Sequence, residues 1–152
     1  MINCNQISFS FVEGRTLSRV EAGTLLLRLV LGITFFVHGL SKFQTGLGNV
    51  AGFFEGMGLP GFLAYIVAII ELVGGIALII GLGTRIFSLL LALTMIGAII
   101  TVKGAAGFMG NGKSAGYELD LALLAISVFL ALCGSGMYAL DSLFKKKDAP
   151  ES

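Results

Sequence analysis

Residues 62–82 have the sequence FLAYIVAIIELVGGIALIIGL, in which Glu71 is the one charged residue. A helix needs about 20 residues, at about 1.5 Å of rise each, to cross the hydrocarbon core of a bilayer, which is roughly 30 Å thick. The segment has that length, and its composition suits a lipid environment. It therefore predicts a transmembrane helix.

Three further apolar segments have a similar length and lie at residues 22–40, 86–102 and 119–140. Segment 86–102 carries no charge, whereas a helix of a soluble protein has a polar face at a period of 3.6 residues. The chain of 152 residues is 56% hydrophobic and 12% charged, with a mean hydropathy of +0.95. A soluble domain of this size could not bury so much apolar surface. The sequence predicts an all-α, integral membrane four-helix bundle.

The parts outside the apolar segments differ in character. Residues 1–17 are polar and mixed and are interpreted as a flexible leader, and a capping box over 18–21 is expected to start the first helix. The transmembrane domain then covers 18–144, and 145–152 form a charged cytoplasmic tail. Segments 41–61 and 103–118 are glycine-rich loops, and 50–54 are apolar enough for a short interfacial helix or re-entrant piece. Thr84 is the expected N-cap of the third helix.

The orientation in the membrane is predicted from basic residues near the helix ends, which are enriched on the cytoplasmic side. With both termini in the cytoplasm, six basic residues lie inside and three outside: Arg15, Arg19, Arg85, Lys145, Lys146 and Lys147 against Lys42, Lys103 and Lys113. The prediction is N-in/C-in, with both glycine-rich loops facing outward. A net charge of +1 without a clustered basic face gives no indication of a nucleic-acid partner.

Three ionisable residues, Arg28, His38 and Glu71, lie well inside apolar segments. A charge near the bilayer centre costs about 2.5–3.5 kcal/mol on insertion scales, so such residues tend to be paired and functional. Counted from the cytoplasmic ends of the segments, Arg28 lies about 9 Å deep, Glu71 about 16 Å and His38 about 24 Å. We expect the long side chain of Arg28 to reach Glu71 and hold it in place.

Lys42, Glu118 and Asp120 extend this set toward the outer surface. Lys42 follows His38 by one helical turn, and the two acidic residues begin the fourth helix. The candidate catalytic residues are His38, Lys42, Glu71 and Glu118. Arg28, Arg85 and Asp120 are assigned to structural pairing and anchoring.

A histidine, a lysine and carboxylates around an apolar cavity suit a lipophilic carbonyl compound such as a quinone. His38 and Lys42 would donate hydrogen bonds to its oxygens, and Glu71 or Glu118 would relay protons. Each residue also has a simpler interpretation. In it Arg28 and Glu71 form a purely structural ion pair, and His38 is a satisfied hydrogen-bonding residue between helices. Lys42 is then a snorkelling anchor, and Glu118 with Asp120 only favours a helix N-terminus.

Metal and covalent cofactor chemistry have no support in the sequence. A single histidine cannot provide bis-histidine haem ligation, and Cys4 and Cys133 form neither a C-x-x-C pair nor a Cys/His cluster. The prediction is no metal site, no covalently bound cofactor and no disulfide framework. A quinone is the candidate ligand.

A series of short motifs over residues 20–142 resembles the DoxX family of bacterial and archaeal membrane proteins. Besides Arg28 and Ala64-Tyr65 they are FVHGLSK (36–42), GFFE (52–55), GLP (58–60), ELVGG (71–75), GLGTR (81–85) and GYELD (116–120). The resemblance implies a four-helix membrane subunit, often linked to redox metabolism and in some members to quinones. It also implies that the recurring polar residues are Arg28, His38, Lys42, Glu71, Arg85 and Glu118.

The resulting hypothesis is a multi-pass subunit of a prokaryotic cytoplasmic membrane, in an oxidoreductase system for quinone-like or reactive redox compounds. Its expected partners are the lipid bilayer and either soluble redox enzymes or further copies of the chain. Two alternatives remain open. A small proton-coupled transporter would use Glu71 and His38 as a proton relay, and a non-catalytic scaffold would anchor soluble redox enzymes to the membrane.

Overall fold

The structure, a computed structural model, describes residues 4–135 and 139–140, with side chains from residue 19 onward. Over these residues five α-helices account for most of the chain: α1 Cys4–Thr45, α2 Leu47–Gly56, α3 Phe62–Ile80, α4 Thr84–Gly97 and α5 Glu118–Cys133. A π-helix, Ala98–Lys103, and a short 3-10 helix, Gly104–Ala106, continue α4. The described part contains no β-strand beyond one isolated bridge, between Gly110 and Ala115. The all-α prediction is confirmed, and the predicted tail 145–152 lies outside the described residues.

Within the described part of the chain, three helices are long and apolar enough to cross a membrane: Arg19–Thr45, Phe62–Ile80 and Thr84–Ala106. Many of their large apolar side chains point outward, as at Leu26, Ile69 and Leu93, which are more than half exposed. Such a surface suits contact with lipid, where outward apolar groups carry no penalty. α5 is a further apolar helix of 16 residues, which ends at Cys133 with Gly134 as its C-cap.

α1 begins at Cys4, so the predicted helix start at residue 18 is wrong. Residues 4–17 contain no proline, and a helix that is already nucleated extends at little cost into residues that do not oppose it. The backbone of residues 4–17 therefore continues the first span. The assignment of 1–17 as a separate unit stays a prediction.

α1 and α3 pack against each other antiparallel at very short range. A Cβ on Gly39 would lie 2.5 Å from the backbone nitrogen of Leu72, and a Cβ on Gly75 would lie 2.8 Å from the carbonyl oxygen of Gly32. Only glycine leaves room for backbones to approach this closely, which is how helices in lipid gain packing energy. These contacts set the register of α1 on α3.

A tight turn joins α3 to α4, and two glycines make it possible. Gly81 has φ 74° and Gly83 has φ 58°, both in the left-handed region that other residues enter at a cost. Gly83 is also the N-cap of α4, without a side-chain capping bond, so the prediction of Thr84 in that role is wrong. Thr84 is instead the first residue of α4 and is fully buried.

The core is formed by apolar side chains from α1, α3, α4 and α5: Leu31, Phe35, Leu78, Leu91, Met95, Leu123 and Leu130. α2 contributes no buried residue and lies against α1 and α3 at one end of the bundle. Of the two forms expected for residues 50–54, a short helix or a re-entrant piece, α2 is the short helix. The bundle thus has one end covered by α2 and one end formed by the α3–α4 turn.

Candidate functional site

A cavity of about 520 Å³ lies inside the half of the bundle that is nearer to α2. Its walls come from α1, α2, α3, α4, the π-helix and α5, and most of the lining side chains are apolar, such as Phe35, Leu63 and Leu123. A volume of this size is typical of sites for small organic molecules. The wall contains few polar groups, so these groups determine which polar atoms of a ligand the cavity can bind.

Lys42 and Glu71 form an ion pair in the wall, in which the ammonium Nζ donates to the carboxylate Oε2. The Glu71 side chain is 5% exposed and that of Lys42 is 23% exposed. The close approach of α1 at Gly39 to the backbone of Leu72 brings the two side chains within reach. Lysine keeps two further N–H donors and a carboxylate has further acceptor positions, so the pair can still bind a ligand.

His38 also lines the cavity, one helical turn before Lys42 on α1, and its side chain is exposed. A residue that is both exposed and part of the lining lies at the rim. The structure therefore brings together three of the four candidate catalytic residues, His38, Lys42 and Glu71. Their catalytic role stays a prediction.

A second ion pair joins the π-helix to α5. Lys103 Nζ lies 2.6 Å from Asp120 Oδ2, and both residues line the same cavity. Asp120 was assigned to structural pairing by the sequence, whereas Lys103 was counted only as a loop charge. The signal for this pair was the position of the two residues. One lies at the end of an apolar segment and the other at the start of the next, and consecutive helices that pack antiparallel place such residues side by side.

Arg28 does not pair with Glu71, so that prediction is wrong. Its Nη1 donates to the carbonyl oxygen of Ser135 at 2.6 Å, and the same atom lies beside Gly81, at the end of the bundle opposite to α2. The depths of Arg28 and Glu71 were counted from the cytoplasmic ends of their segments, on the assumption that these ends lie at the same level in the membrane. The glycine contacts fix a different register, in which Arg28 lies opposite the end of α3, ten residues or about 15 Å along the helix from Glu71.

Glu118 and Arg85 lie outside the cavity wall. Glu118 is exposed at the first position of α5 and does not line the cavity, so the structure does not bring it to the other candidate catalytic residues. Arg85 is exposed in the first turn of α4, with its Nε beside Gly134 at the end of α5. Among the described residues no group of three or more His, Cys, Asp or Glu side chains could hold a metal ion.

Long apolar helices around a cavity that holds two ion pairs and a histidine define a helical membrane protein with an internal polar site. The family model of DoxX matches residues 23–104, more than half of the chain. The chain belongs to the DoxX family, as its motifs predicted.

Named relatives agree with this class. The chain is 56% identical over 128 residues to the "Putative oxidoreductase CatD" of Bacillus subtilis, covering 84% of this chain and 91% of the relative. It is 31% identical over 135 residues to an uncharacterized membrane protein of Mycobacterium tuberculosis, covering 81% and 82%. It is 30% identical over 128 residues to the inner membrane protein YqjF of Escherichia coli, covering 84% and 95%. No solved structure matches. The chain is a multi-pass membrane protein.

Proposed function

We propose that the chain is a membrane subunit of an oxidoreductase system and that it binds quinone-like or other reactive redox compounds in its cavity. The observation that carries this proposal is the ion pair of Lys42 and Glu71, placed with His38 in an otherwise apolar wall. An apolar wall suits a lipophilic ring, and the few polar groups suit its oxygens. The relative named as an oxidoreductase supports the redox class.

Each polar residue has a role in this proposal. The ammonium of Lys42 donates to a ligand oxygen, and Glu71 holds the ammonium in place while offering an acceptor. His38, at the rim, is placed to pass protons between the cavity and the surroundings, because an imidazole has both a donor and an acceptor nitrogen. Electrons would come from a partner enzyme or from the compound itself.

The proposal includes a four-helix topology in a bacterial inner membrane. α5 is apolar and packs antiparallel to α4, as the contacts at Lys103–Asp120 and Arg85–Gly134 require, and it is the fourth span. The greater number of basic residues near the α3–α4 turn and the termini supports N-in/C-in. The relative named as an inner membrane protein supports the location.

The test is equilibrium binding of tetramethyl-1,4-benzoquinone to the protein in nanodiscs, with empty nanodiscs as the blank. We expect saturable binding that weakens by about tenfold or more in both variants, because His38→Ala removes a hydrogen-bonding group of the wall and Glu71→Gln removes the charge that holds the Lys42 ammonium in place. Glu118→Gln is the matched control, because Glu118 is exposed and lies outside the lining. It should bind like the wild type.

His38→Ala removes an exposed side chain, so the variant is expected to fold even if Glu71→Gln does not. Folding of each variant is checked by gel filtration and circular dichroism. A folded wild type that shows no saturable binding would contradict the proposal. The transporter and scaffold interpretations would then have to be tested by flux and by pull-down experiments.

A further inference from the structure

The pair of Lys103 and Asp120 is a second polar position in the cavity, on a different wall from Lys42 and Glu71. The first pair joins α1 to α3, whereas the second joins the π-helix to α5. The Asp120 side chain is 8% exposed and that of Lys103 is 28% exposed. Two charged pairs therefore face one cavity, which as a sphere would be about 10 Å across.

A π-helix at this point brings Lys103 into the wall. Its backbone bonds connect residues five apart, so Lys103 lies on the same face as Ala98, at the start of the element, and both residues line the cavity. Single π-helical turns inside helices are rare and occur frequently at functional sites. The local geometry thus serves to place a cation in an apolar cavity, where an uncompensated charge would be costly.

Other polar side chains of the lining are engaged elsewhere. The hydroxyls of Thr94 and Thr101 donate to the carbonyl oxygens of Leu91 and Gly97 in their own helix. The strong donors and acceptors that face the cavity are His38 and the two ion pairs. In each pair the ammonium keeps two N–H donors and the carboxylate keeps acceptor positions, so each pair can bind a carbonyl or a hydroxyl oxygen.

We propose that the Lys103–Asp120 pair is a second anchor of the site, and that the ligand is a compact apolar ring with two oxygen substituents, one at each ion pair. A carbonyl oxygen would accept from the ammonium, and a hydroxyl would also donate to the carboxylate. This inference rests on the proposed function, and it adds the chemical class of the ligand and the second position that binds it.

The test compares two ligands that differ by one hydroxyl: tetramethylhydroquinone, kept reduced under anaerobic conditions, and 2,3,5,6-tetramethylphenol. Both molecules carry four methyl groups at the same ring positions. They differ only at the position opposite the first hydroxyl, which carries a second hydroxyl in the diol and a hydrogen in the phenol, so their shapes are closely matched. Binding is measured by equilibrium dialysis in nanodiscs. We expect wild type to bind the diol about tenfold or more tightly than the phenol, because the second hydroxyl bonds to a charged pair.

The same comparison in Lys103→Met and in Asp120→Asn should abolish the preference for the diol while leaving the affinity for the phenol within about threefold, a smaller change than the loss of one hydrogen bond to a charged group. Lys113→Met is the matched control, since Lys113 is exposed in the segment before α5 and lies outside the lining. It should keep the full preference.

The outcomes separate this inference from the proposed function. Equal affinity of wild type for the two ligands would overturn the second anchor and leave ring binding at Lys42–Glu71 intact. A preference that survives in Lys103→Met and Asp120→Asn would also overturn it. Absence of binding of either ring to the folded wild type would overturn the proposed function together with the inference. The ligand comparison in the wild type can overturn the inference by itself, and a preference found there is assigned to the Lys103–Asp120 pair by whichever of the two variants folds.

Discussion

Glu71 lies almost fully buried between α1 and α3, and its carboxylate bonds to the ammonium of Lys42. The pair lets both charges remain in an apolar wall, because each is the counter-ion of the other. Removal of one partner leaves an uncompensated charge, whereas removal of both leaves two neutral side chains. The two kinds of variant therefore differ in their effect on stability.

We expect Glu71→Gln to lower the free energy of unfolding by about 1–3 kcal/mol, since the Lys42 ammonium loses its charged acceptor. The double variant Lys42→Met/Glu71→Gln should lose less than the sum of the two single variants, because residues in direct contact are coupled. Unfolding in mixed detergent, followed by circular dichroism, measures all four proteins. If the loss in the double variant equals the sum of the losses in the two single variants, the interaction between Lys42 and Glu71 contributes nothing to stability.

Single charged residues could be foreseen from the sequence more reliably than their partners. His38 and Glu71 were singled out because they interrupt apolar segments, and Lys42 because it follows His38 by one helical turn; all three line the cavity. Arg28 was given the wrong partner because distance along a helix does not fix the level at which two helices meet. That level depends on the close contact at Gly39, which no count of residues reveals.

At the scale of the elements, α1 and α3 are held together by backbone contact rather than by large side chains. Gly39 and Gly75 are the points of closest approach, and the cavity begins beside the first of them, at His38 and Lys42. The geometry of the ion pair therefore depends on this interface. A change in helix spacing would move Lys42 relative to Glu71.

Gly39→Ala should destabilise the protein by about 1–3 kcal/mol, the usual cost of an atom forced into a closely packed interface. The added methyl group would meet the backbone of Leu72, which cannot move aside as a side chain can. Gly23→Ala is the matched control in the same helix, because a Cβ there has no atom within 4 Å. Thermal unfolding in detergent compares the two, and equal stability would contradict the packing described for α1 and α3.

The sequence predicted the apolar spans and the short helix α2, since both follow from length and hydropathy. It did not predict the π-helix Ala98–Lys103, because nothing in the residues AIITVK distinguishes a π-helix from an α-helix. Lys103 is the last residue of this π-helix, and its partner Asp120 lies on another helix, 17 residues further along the chain. Lys103 was overlooked for this reason.

The molecule as a whole has two ends of different composition. The cavity, α2 and the segment 107–117 lie toward one end, whereas Arg28, Arg85 and the α3–α4 turn lie toward the other. In the proposed orientation the cavity belongs to the outer half of the membrane. Compounds would then reach it from the outer surface or the outer leaflet.

Cysteine labelling tests this orientation. In a background of Cys4→Ser/Cys133→Ser, a cysteine introduced as Lys113→Cys should react with a membrane-impermeant maleimide in right-side-out vesicles. A cysteine introduced as Arg85→Cys should react only after permeabilisation, because both positions are exposed but lie at opposite ends. The reverse pattern would place the cavity in the cytoplasmic half and contradict N-in/C-in.

The two ion pairs also bear on how the chain enters the membrane. Lys42 and Glu71 lie on consecutive long helices, as do Lys103 and Asp120, so each pair closes within one helical hairpin. Neither pair needs the other hairpin in order to form. In the proposed four-span topology, a hairpin that leaves the translocon would neutralise its own charges before the bundle assembles, which lowers the cost of inserting ionisable residues into lipid. The charged residues that line the cavity thus also suit insertion of the chain into the membrane as two successive hairpins.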